Sequence, residues 1–289
     1  MNDVDENLAA AEKVGCGRPG REHYVDIHCH CLPGVDDGPA TISESLSLCR
    51  ALVEDGVTTV IATPHQLGRF SERNEAESIR ERVTALNEQL EGNGIGLRIV
   101  PGGDIRVDER ICQLIEADRI LTLADGGKYI LLELPHDIFI DIEPLLVELS
   151  ALGIRAIISH PERHPIIARP GPSEYRTRSV LLRWLAEGAH IQLTAASLLG
   201  DFGATAQRAA WEFLTSGWAC FVATDAHDLD GRRPRMNAVY QQINARLGEA
   251  TARRVCIENP LRVLEGGQVL STHCTGTRNW IDARYPTTF

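Results

Sequence analysis

Nowhere in the 289 residues do 18 apolar side chains run together, and the opening stretch, MNDVDENLAAAEKVGCGRPG, carries acids where a secretory leader needs positive charge. Neither a membrane-spanning helix nor a signal peptide is expected, and the compartment this implies is the cytoplasm. Lysine is almost missing: two Lys accompany 27 Arg, against 40 Asp and Glu, for a formal charge of −11. That balance argues against a general surface for nucleic acid or anionic membrane, since both need positive faces. The eight Cys form no close-set framework, so reduced thiols are expected rather than disulfides. Internal repeats and low-complexity stretches are also missing. What remains is 43% hydrophobic, enough for one sizeable core, with ten His beside the acid surplus.

Residues 1–22 read as a polar extension with a short helix at Leu8–Val14, and 266–289 as a loosely ordered tail without periodicity. Between them, 23–265 alternate short β-branched runs with longer amphipathic stretches, the pattern of parallel βα units. Seven strands are predicted: Tyr24–His28, Val57–Thr63, Leu97–Pro101, Tyr129–Leu134, Arg155–His160, His190–Thr194 and Ala219–Asp225. Several are apolar throughout (TTVIAT, YILLEL, RAIIS, ACFVAT), as strands covered on both faces must be. Thr41 and Glu44 form a capping box for a first helix that Gly56 ends. Further helices are read in SERNEAESIRERVTALNEQLEG, DIEPLLVELSALG, GATAQRAAWEFLTSG and MNAVYQQINARLGEA. Seven such units point to an α/β fold, either a closed or nearly closed barrel or an open doubly wound sheet. In both, chemistry belongs at the carboxyl ends of the strands.

Those strand ends hold an unusual set of residues. Period-two alternation turns His28 and His30 to one side of the first strand and Cys29 and Cys31 to the other. Later exits carry Asp37, beside Asp36 in VDDG, then His65, Asp104, Glu133, His160, and Asp225 with His227, nine groups with the first two His if Asp36 is set aside. Buried imidazoles and carboxylates are unfavourable unless a cation or hydrogen bonds satisfy them, so nine such groups at one rim point to metal. Oxygen and nitrogen donors without a thiolate favour Mn, Fe, Zn or Mg, and nine donors suit two or three divalent ions with open positions.

The segments DIHCHCLPGVDDGPATISESLSLCRALVEDGVTTVIATPH, ISHPERH and ATDAHDLDGRRP resemble the PHP (polymerase and histidinol phosphatase) superfamily. Within it they are most similar to the bacterial CpsB/CapC-type manganese-dependent protein-tyrosine phosphatases of capsule and exopolysaccharide synthesis. The resemblance implies a single distorted (β/α)7 TIM-like barrel, hydrolysis of phosphotyrosine by metal-bound hydroxide, and two or three divalent ions, Mn²⁺ foremost. It also implies a partner, the phosphotyrosine-bearing C-terminal tail of a tyrosine autokinase. Carried over by position, His28, His30, Asp225 and Asp104 hold one ion, Asp104, Glu133 and His160 a second, and Asp37, His65 and His227 a third. Asp104 departs from the pattern, since many relatives have Glu there. Arg163 and Arg232, which directly follow ligand motifs, become the phosphate-binding forks, with Arg106 a further candidate. His164 and His136 stay outside the core site.

Other readings compete. A small-molecule phosphatase of the same superfamily, for instance on histidinol phosphate, is the nearest alternative; a nuclease is disfavoured by net charge. A metal-bound scaffolding module without turnover would need only a closed set of four ligands. Cys256 and Arg262 fit the C-x5-R spacing of cysteine-dependent phosphatases, but the segment lacks the glycines that let backbone N–H groups cradle phosphate.

Overall fold

The computed structural model describes residues 23–270 apart from 72 and 169–173. The extension 1–22 with its predicted helix, and 271–289 of the tail, lie outside the described residues. The first helix, Ile42–Asp55, forms as its caps dictate: the Thr41 side chain accepts from the Glu44 N–H, the Glu44 carboxylate accepts from the Thr41 N–H, and Gly56 (φ 99°) ends it in the left-handed region. Helices Ala76–Gly92, Glu143–Ala151, Gly203–Thr215 and Met236–Leu247 follow the other apolar stripes. A helix at Glu174–Ala186 was not anticipated. Its apolar residues crowd into Val180–Leu185 and leave no 3.6-residue stripe to read.

All strand pairings are parallel. The strands are β1 (Tyr24–Cys29), β2 (Val57–Ala62), β3 (His65–Gln66), β4 (Arg98–Pro101), β5 (Asp104–Arg106), β6 (Tyr129–Glu133), β7 (Arg155–Ser159), β8 (His190–Thr194) and β9 (Ala219–Ala223). They pair as one sheet of order β1-β2-β4 and a second of order β3-β5-β6-β7-β8-β9, giving an α/β fold of parallel sheets. Seven expected strands become nine segments because two of the paths are interrupted. Pro64, which has no N–H to donate, separates β2 from β3; Gly102 and Gly103 separate β4 from β5. The ladder resumes beyond both breaks, where the Asp104 N–H donates to Pro64 O at 3.1 Å. His65 then pairs with Asp104 and Arg106 with Glu133 as cross-strand neighbours.

The core has two parts. The larger packs the strands against the helices and takes Leu48, Leu52, Ile79, Leu86 and Trp184. The smaller draws Val25, Ile27, Ile61, Val100, Leu131, Ile157 and Phe221 from β1, β2, β4, β6, β7 and β9. Val263 and Val269 pack beneath it, Tyr129 donates to Gly267 O at 2.7 Å, and the Leu270 N–H donates to Asn259 Oδ1 at 2.8 Å. The chain beyond residue 265 is therefore held down as far as 270.

The register of β1 slips between Asp26 and Cys29. Val25 and Ile27 belong to the inner cluster, yet Cys29 and Cys31 belong to the outer one. Strict alternation would put all four odd positions on one face. The slip reverses the faces midway and turns His28 and His30 inward, the way an irregularity in a strand re-aims side chains beside a site. At the same level a bridge joins Cys29 to Ala226, and the Asp225 N–H donates to His28 O at 2.8 Å. No helix among the described residues is long and apolar enough to cross a membrane.

Candidate active site

All nine donors singled out in the sequence meet at the carboxyl ends of the strands. Their ligand atoms fall into overlapping groups: His30 with Asp37, His65 and His227; His28 with Asp104 and His160; His28 with His30 and Asp225; His65 with Asp104 and Glu133. This grouping differs from the one carried over by position. His160 ends β7 in the left-handed region (φ 33°), and its ring stacks on His28 with centroids 5.5 Å apart. Glu133 is held by Arg106 at 3.1 Å and by His136 at 3.3 Å, whose ring stacks on His160. Asp225 is likewise left-handed (φ 52°), a conformation non-glycine residues hold only under constraint, and often at functional sites.

The distances are short enough for shared cations. His28 Nε2 lies 3.2 Å from His30 Nε2 and 3.2 Å from Asp225 Oδ1. His65 Nδ1 is 3.2 Å from Asp104 Oδ2, while His65 Nε2 and His227 Nε2 each lie 3.4 Å from Asp37 Oδ1. Among the described residues, the buried atoms Asp104 Oδ2, Asp225 Oδ1 and His227 Nε2 have no hydrogen-bond partner. Orphaned atoms of this kind call for an explanation, and three of them aimed among nitrogen and oxygen donors fit divalent metal ions.

Electrostatics agree with that fit. Burial, reinforced by His227, lowers His30 to about 3, and burial with Arg163 holds His160 well below its ordinary value, so both rings keep a lone pair. Burial alone would raise Asp225, but His28, Arg232 and Arg163 together outweigh it and hold the carboxyl well below the usual range. The nearby imidazoles of His227 and His65 do the same for Asp37. His65 runs opposite: burial would lower it, yet Asp104 and Asp37 raise it to about 11. Those carboxylates already attract positive charge to this position.

One supporting residue, Gln192, escaped the sequence reading, and another, Asp36, had no role there apart from Asp37. Gln192, from β8, meets His28 Nδ1 at 2.9 Å, and Asp36 Oδ2 meets His30 Nδ1 at 2.7 Å, leaving each Nε2 to face the cluster. Asp36 also accepts from the His65 N–H at 3.1 Å and the Gly38 N–H at 3.0 Å. The loop carrying it folds so tightly that a Cβ on Gly38 would lie 2.4 Å from His30 O; only glycine fits. The adjacent acids Asp36 and Asp37 were the available signal, but which faced a metal and which an imidazole depended on this turn. Asp36→Asn puts a donor where two donors need an acceptor. It is expected to weaken divalent-metal affinity about 10- to 100-fold, read by calorimetric titration of the metal-free protein; unchanged affinity would show that His30 needs no such partner.

Arg163 Nη1 and Arg232 Nη2 both reach Asp225 Oδ2, at 2.5 and 2.6 Å, and Arg163 also lies over the Phe202 ring at 4.3 Å. Both arginines line a cavity of about 380 Å³ together with Asp37, His65, Glu133, His160, Arg106, Arg69, Phe70 and His136. A larger cavity, about 470 Å³, lies at the other end of the strands among Val25, Thr58, Arg98, Leu261 and Glu265. No metal-type donor cluster of the described residues falls there, so chemistry rather than size identifies the site. His164 is buried, with Nε2 2.8 Å from Pro135 O and Nδ1 accepting the Ile166 N–H; it fastens a turn. Cys256 is fully buried in the π-helical turn Arg254–Glu258, where burial pushes its thiol up, and Arg262 donates to Gln268 O. That environment is the reverse of what a nucleophilic thiolate needs.

Comparison with known proteins follows the same lines. The chain is 36% identical to the tyrosine-protein phosphatase YwqE of Bacillus subtilis over 209 residues, 72% of this chain and 79% of that one. It is 28% identical to the tyrosine-protein phosphatase CpsB of Streptococcus pneumoniae over 246 residues, 83% and 98% of the two chains. A crystal structure from work on those two proteins, described as metal-dependent tyrosine phosphatases, superposes with a TM-score of 0.78 at 31% identity, covering 86% of this chain and 96% of that one. The phosphotriesterase homology protein of Escherichia coli shares the fold alone, with a TM-score of 0.52 at 12% identity over 84% and 98% of the two chains. The family model for capsular polysaccharide synthesis, CpsB/CapC, matches residues 24–265. From β1 to the end of the described helices, the chain belongs to the CpsB/CapC family.

Proposed function

We propose that this protein is a metal-dependent phosphomonoesterase that removes phosphate from tyrosine in a protein substrate, in the control of capsular or exopolysaccharide synthesis. The observation that carries this reading is the convergence of nine nitrogen and oxygen donors on one rim, with two arginines held against the same cavity. His28, His30, Asp37, His65, Asp104, Glu133, His160, Asp225 and His227 would hold two or three divalent ions. Manganese is the metal we assign, from the resemblance to the CpsB/CapC type; imidazole and carboxylate donors without thiolate suit iron, zinc and magnesium as well. The scaffold is read as one distorted seven-unit barrel. The bridge between Cys29 and Ala226 and the inner cluster fed by six strand segments support that reading.

Bound ions would supply Lewis acidity and let water act as a nucleophile near neutral pH. The chain itself contributes orientation and charge. Asp36 and Gln192 set the direction of His30 and His28, and Arg163 and Arg232 present guanidinium N–H groups to the non-bridging phosphate oxygens. Asp225 keeps those two arginines at the floor of the cavity. No well-placed general acid is needed for a phenolate leaving group, whose parent pKa is about 10. This matches a site from which His164 is withdrawn by its bond to a backbone carbonyl. The partner we assign is the tyrosine-phosphorylated tail of an autokinase. With Mn²⁺ present, phosphate release from a phosphotyrosine peptide is expected to exceed that from histidinol phosphate and from a dinucleotide by at least tenfold in kcat/KM, or about 1.4 kcal/mol. A dominant rate on either of the last two overturns the substrate assignment.

A further inference from the structure

One wall of the cavity is not used by the mechanism above. The chain leaves β3 through Leu67 (φ 66°, ψ −170°) and Gly68 (φ 56°), a left-handed pair that bends it sharply back over the site. The turn is packed down: a Cβ on Gly68 would come within 3.2 Å of Arg106 Cγ. It delivers Phe70 almost parallel to the His65 ring, 15° apart with centroids separated by 5.5 Å. Arg69 lies over the Phe70 ring at 4.6 Å and bonds Asp37 Oδ2 at 3.2 Å, which ties the turn to the donor cluster from a second side. Phe70 is only half-buried and lines, with Leu67, the same cavity as Arg163 and Arg232.

We propose that Phe70 is a specificity-determining residue: it receives the aromatic ring of the substrate while the arginines take its phosphate. The inference rests on the phosphomonoesterase reading above and deepens it to aryl over alkyl phosphates. With His65 along the Phe70 ring and Arg69 over it, the substrate ring meets the part of Phe70 left exposed, edge to face as aromatic pairs favour, and both rings lose apolar contact with water. A seryl or threonyl phosphate carries no ring to place against it. The backbone strain at Leu67 is consistent with a turn held for a task rather than for packing.

The test compares Phe70→Ala and Phe70→Trp with the wild-type protein, loaded with Mn²⁺, on a phosphotyrosine peptide, phenyl phosphate and a phosphoserine peptide. Manganese affinity is measured in parallel by calorimetry, because Phe70 touches His65. The alanine variant is expected to lose about tenfold in kcat/KM on both aryl substrates, the scale of an aromatic contact. Phosphoserine turnover and Mn²⁺ affinity are expected to stay within twofold, and the tryptophan variant to recover most of the aryl rate. Equal losses on aryl and alkyl substrates, or weakened Mn²⁺ binding, would overturn the proposal and show that Phe70 acts by positioning His65. Unchanged aryl rates would overturn it as well. A wild-type protein without phosphatase activity on any of the three would instead remove the activity itself, and this inference with it.

Discussion

Asp225→Asn is expected to lower kcat/KM for phosphotyrosine hydrolysis by about a thousandfold, because two functions meet in one carboxylate. Oδ1 faces His28 Nε2 at 3.2 Å and His30 Nε2 at 3.5 Å, and Oδ2 receives both Arg163 and Arg232. An amide keeps the volume but withdraws the charge that both guanidinium groups share, leaving Arg232 only the longer pair with Asp37 Oδ2 at 3.8 Å. Losing a metal donor and loosening two phosphate-binding arginines removes electrostatic stabilisation of the transition state, of which a single donor is worth about 2.7–4 kcal/mol, or two to three decades of rate. Steady-state kinetics on a variant shown by circular dichroism to be folded measures it. Activity within tenfold of wild type would mean that Asp225 is a structural counter-ion for the arginines and no more.

Stripping divalent ions with a chelator should have an effect of similar size. Lewis-acid stabilisation of a phosphoryl transition state is worth several kcal/mol, so phosphotyrosine hydrolysis should fall about a thousandfold or more and return when Mn²⁺ is added. Stability should move with it. Asp37, Asp104, Glu133 and Asp225 lie on one rim, and a ligand that binds only the folded state at a hundred times its Kd adds about 2.7 kcal/mol. For a chain of 289 residues that is a rise of roughly 4–5 °C in Tm. Full activity in a preparation shown to be metal-free would sink the mechanism. Loss of activity with no return on adding Mn²⁺, Fe²⁺, Zn²⁺ or Mg²⁺ would point to damage by the chelator.

How far the chain could be read from its letters varied by element. The strand His190–Thr194 and the helix from Ile42 to Gly56 follow from local chemistry alone: an apolar run, a capping box and a left-handed glycine. The helix Glu174–Ala186 did not show, because its apolar residues are crowded instead of periodic. The breaks at Pro64 and at Gly102–Gly103 are visible as residues, but their result, two strands that stop and restart, depends on neighbours across the sheets. Asp36 illustrates the same boundary within the site. Next to Asp37 it looked like an equivalent carboxylate, and the close approach of Gly38 to His30 O made it the partner of an imidazole instead.

By itself the sequence determined the fold class and the identity of the donors. Apolar β-branched runs must be covered on both faces, and a His or carboxylate at nearly every strand exit leaves few alternatives to a cation. The tertiary structure decided which donors share an ion-sized space. It slipped the register of β1 so that His28 and His30 face inward, stacked His160 on His28, and laid Phe70 against His65. The reason is physical: local propensity acts over a few residues along the chain. The groupings depend on contacts between residues as distant in sequence as His28 and Asp225, which only packing brings within 3.2 Å.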